Sequence, residues 1–68
     1  MWSAKLKISW RELNYNLNSY SEAQVLDMLN EERAVHKRAT MLQRLHQRYN
    51  ALRVARERLE IMAEATQP

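Results

Sequence analysis

The run from Ser21 to Gln67 holds neither glycine nor proline, so nothing in it stops an α-helix on stereochemical grounds alone. Within it Leu42, Leu45, Tyr49, Leu52 and Leu59 follow one another at intervals of 3, 4, 3 and 7, the spacing that lays one apolar seam along a helix. Such a helix has to bury its seam on another part of the chain or on another molecule. The sequence therefore reads as a binding element of the all-α class.

Length restricts the means of burial. A chain of 68 residues has room for one domain and buries a modest share of its surface when it folds alone. With no cysteine there are neither disulfides nor thiolate metal sites, and His36 and His46 have no carboxylate at ligand spacing from both. No metal or other cofactor is expected. Packing against a further helix is the remaining stabiliser, and a second copy is a usual source of one at this size, so at least a dimer is expected. No apolar run approaches the roughly 20 residues that span a bilayer. Met1 to Trp10 alternates Lys5, Leu6, Lys7, Ile8 instead of forming a signal-peptide core. These features predict a cytoplasmic protein without membrane contact.

Charge is unevenly spread. Glu22, Asp27, Glu31 and Glu32 form an acidic stretch with no base, whereas from Arg33 to Arg58 eight Arg or Lys face the single acid Glu57. Arg33, Lys37, Arg44, Arg48 and Arg58 fall within roughly 80° of one another on a helical wheel, and none has an acid four residues away. That face suits phosphate or carboxylate, whose geometry arginine forks match. The plainer alternative is a solvated face, or one neutralised by the acidic stretch. For base-specific recognition there is little support: no Asn or Gln accompanies the arginines in a helix-turn-helix arrangement, and a basic zipper would place its basic block before the leucines.

Ser9 and Glu12 make a capping-box pattern around Trp10, Leu13 and Leu17, which predicts a short helix from about Trp10 to Leu17. Asn14, Asn16 and Asn18 favour local side-chain bonds and predict a break near Asn18 to Tyr20. Ser21 with Gln24 is a stronger box, Glu22 suits the first turn, and Tyr20 can staple onto Val25. Residues 1–20 then form an arm with one short helix, and residues 21–65 the main helical segment. From Val25 the rhythm Met28, Glu32, Val35, Ala39, Leu42 is regular but restarts at Leu42, leaving the apolar centres of the two halves roughly 120° apart. Either one helix is kinked and aims two seams differently, or the chain turns near His36 to Thr40 and Thr40 with Gln43 caps a second helix. The lack of Gly, Pro, Asn or Asp between Glu31 and Gln47 favours the long kinked helix over the hairpin, with coiled-coil or bundle association.

The seam comprises Leu42, Leu45, Tyr49, Leu52, Arg56 and Leu59, and reads as structural core or oligomer contact more readily than as a ligand pocket. Arg56 within it needs an acid, which predicts a register-setting contact with Glu57 or Glu60 of a neighbouring helix. Trp2, Trp10, Leu13, Leu17 and Tyr20 form an aromatic-rich patch; it covers the first seam or, if uncovered, serves as a protein-binding hot spot, and coverage is favoured. With no nucleophile and base at triad spacing, no paired acids and no glycine-rich loop, neither an enzyme nor a small-molecule substrate is expected.

Met41 to Met62 contains an Arg-Leu-His-Gln-Arg-Tyr core (Arg44 to Tyr49) and the succession Leu52, Arg53, Arg56, Glu57, Arg58, preceded by Ser21, Glu22 and the Val25 to Glu32 turn. In these residues the chain resembles small helical proteins that tailed phages encode, mostly of unknown function and often in regulatory gene clusters. The resemblance implies a small viral effector acting on host or phage machinery in the host cytoplasm. Joined to the seam, it predicts a non-enzymatic regulatory protein that oligomerises through its leucines and modulates a protein partner by occlusion. The alternatives are a sequence-tolerant nucleic-acid binder using the Arg-rich face, and a structural assembly component.

Overall fold

The computed structural model describes residues 8–66. They form α1 (Trp10–Asn16), α2 (Glu22–Glu31) and α3 (Ala39–Ala65), with no strand among the described residues. Trp2 and the Lys5 to Lys7 alternation lie outside them.

Local chemistry sets the first two helices. Ser9 accepts the Glu12 N–H at 3.1 Å and starts α1. Asn14 and Asn16 turn their amides back onto the carbonyls of Trp10 and Glu12, at 2.8 and 3.1 Å. The backbone then tightens into one 3₁₀ turn at Leu17–Ser19 and becomes extended at Tyr20, as residues that compete for backbone bonds should make it do. Ser21 and Gln24 exchange both bonds of a capping box at the head of α2.

The long helix is corrected by the structure: the chain turns between α2 and α3. At Glu32–His36 the helix widens into a π turn, closed by the Lys37 N–H on the Glu32 carbonyl at 2.6 Å. Lys37 then takes the left-handed conformation (φ 54°, ψ 35°) that ends many helices, though it is not glycine. A non-glycine residue there costs roughly 1–2 kcal/mol, and Glu32 supplies the compensating contacts. Its Oε2 accepts both the backbone N–H and Nε–H of Arg38, each at 2.9 Å, and its Oε1 accepts from Nη2 at 2.8 Å. Arg38 Nη1 donates in turn to the Ile8 carbonyl at 2.8 Å, tying the entry of α1 to the same knot. These hydrogen bonds to Arg38 hold the Glu32 carboxyl below its ordinary range despite burial. The same contact raises the pKa of Arg38. Thr40 does not cap α3, whose N-cap is Arg38 with no side-chain bond of its own. The regular rhythm of the first seam stops at Glu32 accordingly, and Val35 is exposed.

Leu13 and Leu17 from α1 and its 3₁₀ turn, Val25, Met28 and Leu29 from α2, and Met41 and Leu45 from α3 make the core, with Ile8, Tyr20, Leu42, Tyr49 and Leu52 packed against it. Each fully buried side chain of this size contributes roughly 1.5–3 kcal/mol. Ion pairs fix α2 and α3 as antiparallel, Glu32 with Arg38 beside the turn and Glu22 with Arg56 at the far end. At 27 residues α3 is about 40 Å long against about 15 Å for the 10 residues of α2. Its second half therefore runs on alone, and the molecule measures 48 Å along its longest axis.

Candidate functional site

The fold divides the predicted seam. Leu45 is buried, and Leu42, Tyr49 and Leu52 are half-buried on the chain's own core. Leu59, one turn beyond Arg56, is 73% exposed, and Val54, Ile61 and Met62 are exposed with it. Arg56 finds its acids within its own chain: Glu22 of α2, at 2.9 and 3.2 Å, and Glu60 one turn along α3, at 2.6 Å. Those bonds raise its pKa further above the arginine range. The register contact predicted with a neighbouring helix is thus made at home.

The aromatic patch is also divided. Leu13 and Leu17 are 0% and 2% exposed, so both are core and neither can meet a partner. Tyr20 packs half-buried against the same core. Trp10 remains 50% exposed.

Of the basic residues from Arg33 to Arg58, Arg38, Arg53 and Arg56 each stand within 4.0 Å of a carboxylate, and Arg53 also lies over the Tyr49 ring at 5.8 Å. Arg33, Lys37, Arg44, Arg48 and Arg58 form no ion pair among the described residues. These are the same five residues the wheel grouped, and the turn now leaves Arg33 in the π turn, Lys37 at its end and Arg44, Arg48 and Arg58 on α3. Arg33 faces α3 across an open cleft lined by Leu29, Ala39, Leu42, Gln43 and His46.

Gln43 also lines a second, smaller groove, of about 110 Å³, with Trp10, Thr40, Arg44 and Gln47. Asn14 holds Arg44 there: its Oδ1 accepts from Nε at 3.1 Å while its amide is fixed on the Trp10 carbonyl. Sequence reasoning missed this group, having looked for an Asn or Gln beside the arginines only in a helix-turn-helix arrangement. The signal was the spacing of Thr40, Gln43, Arg44 and Gln47 on one exposed helical face; that Trp10 and Asn14 of α1 stand against this face is a matter of tertiary packing.

His36 lies half-buried with Nε2 3.6 Å from Glu31, and His46 is exposed beside Asn50. Among the described residues no three His, Cys, Asp or Glu stand together as metal ligands, and no helix is long and apolar enough to cross a membrane. No protein-family model matches the chain, and no curated protein or solved structure matches it significantly.

Proposed function

We propose that this chain is a small non-enzymatic interaction protein, of the regulatory kind that a phage-encoded effector in the host cytoplasm would be, which pairs through the projecting half of α3 and modulates a protein partner. The observation that carries this reading is the exposure of Leu59 and Met62, one turn apart on one face of a helix that has outrun its own core. A second copy suits that end electrostatically. Arg58 and Glu64, which form no ion pair among the described residues, stand three residues either side of Ile61, so an antiparallel partner sets Arg58 of each copy against Glu64 of the other, whereas a parallel one sets like against like.

The test is light scattering of the purified chain alongside a Leu59→Asp, Met62→Asp variant. The reading requires a concentration-dependent dimer that the variant abolishes without loss of helicity, and a wild-type chain that stays monomeric at high concentration refutes it.

A second reading, nucleic-acid binding, is favoured by one separate observation: five basic side chains without an ion pair among the described residues. The two readings are compatible for Arg33, Lys37, Arg44 and Arg48, which stand outside the half of α3 that would pair, whereas Arg58 lies within it.

A further inference from the structure

We infer that the groove between the start of α1 and the first turns of α3 binds single-stranded nucleic acid, with a base stacked on Trp10 and the strand's phosphates held by Arg44 and Arg33. This rests on the nucleic-acid reading and places its site. Three features of the groove converge on that ligand.

First, the lining is chemically selective. Trp10, Thr40, Gln43, Arg44 and Gln47 offer one aromatic face, two amides, a hydroxyl and a guanidinium, and no carboxylate. The neighbouring cleft, joined through Gln43, adds Arg33 and His46 and again no carboxylate. Amides that both donate and accept can meet the donors and acceptors of base edges.

Second, Arg44 is pre-oriented. Asn14 occupies its Nε, and no other bond holds the guanidinium among the described residues, which leaves both Nη groups to form a fork toward a phosphate. Asn14 is in turn held on the Trp10 backbone carbonyl, so one side chain ties the Arg44 fork to the turn of α1 that carries the ring.

Third, Trp10 is half exposed beside the groove where a core-forming tryptophan would be covered. An exposed ring flanked by cations is how sequence-tolerant single-strand binders engage bases, because every base has a face to stack. A duplex keeps its bases stacked on one another and presents none to the ring. The occupant is therefore a single strand.

The experiment measures binding of a labelled oligothymidylate and of a mixed-sequence duplex at low salt, using the full chain with Trp2→Phe so that Trp10 is the sole tryptophan. The expected result is micromolar or tighter binding of the single strand, quenching of Trp10 emission, and a salt slope of about 0.7 per phosphate contacted. Trp10→Ala or Gln47→Glu should weaken binding about tenfold or more, the scale of one lost stacked base. Gln47→Glu changes an exposed helical position and keeps the test valid if Trp10→Ala does not fold. Binding that survives both variants but is lost on Arg48→Gln with Arg58→Gln overturns the groove and leaves the nucleic-acid reading standing. So does preference for the duplex with unchanged Trp10 emission. No binding of either nucleic acid overturns both.

Discussion

Glu32 is 2% exposed and grips Arg38 through both carboxylate oxygens, so a chain with no glycine folds back on itself at that point. The acid bonds across the turn to the backbone N–H and guanidinium of Arg38, and so holds a turn whose left-handed position is filled by Lys37 in place of glycine and whose following helix has no capping side chain.

Replacing it should be costly. Glu32→Gln leaves the Arg38 guanidinium without its counter-charge and should lower stability by about 1–3 kcal/mol, less than a fully buried pair because Arg38 keeps some solvent contact. The loss should also depend on pH. The folded carboxyl titrates below its ordinary range, so the unfolded chain binds the proton first as pH falls. The Glu32 contribution is therefore complete above the ordinary carboxylate range and disappears as pH drops through the lowered value. Urea titrations of wild type and variant should show midpoints that differ at neutral pH and converge in strong acid.

Lys37 holds a conformation that glycine adopts without steric cost. Lys37→Gly should be neutral or stabilising by up to about 1 kcal/mol, the relief of left-handed strain less the added freedom of the unfolded chain. In a domain this small 1 kcal/mol raises Tm by roughly 4–8 °C. A thermal melt by circular dichroism checks it, and a falling Tm would mean that the lysine side chain itself supports the turn.

The two halves of the leucine seam should respond differently to truncation. Leu45 is 1% exposed, and Leu45→Ala should cost about 2–5 kcal/mol. Leu59→Ala should change the stability of the isolated chain by no more than about 0.5 kcal/mol. Urea unfolding at low protein concentration separates the two. Leu45 is consequently unsuitable for probing association, since an aspartate there would unfold the chain before it disrupted a dimer.

Much of this fold was legible in the sequence where local chemistry decides it. The caps at Ser9 and Ser21, the break after the asparagines and the all-α class follow from side chains within one turn of the backbone groups they satisfy. The turn at Lys37 was not, because its cause is a contact six residues apart, from Glu32 to Arg38, in a stretch where every single-residue turn signal is missing. The evidence for it was present in another form: two seams aimed roughly 120° apart are incompatible with one straight buried stripe. The five unpaired basic residues could be picked out only by the helical wheel and i±4 spacing together, since i±4 spacing alone also admits Arg38, which Glu32 pairs from six residues away. The groove at Trp10 could not, since it joins residues some thirty positions apart and depends on where α3 starts.

α3 is divided: its first half is consumed by the chain's own core and its second half is exposed, where the proposed second copy would pack. Hydrogen exchange of backbone amides across a range of protein concentrations reads this division directly. Protection of Met41 to Leu52 should be the same at every concentration, while that of Leu59 to Met62 should be low in dilute solution and rise as the protein is concentrated. Protection of Leu59 to Met62 that stays low at the highest concentration, or that rises in step with Met41 to Leu52, would contradict it.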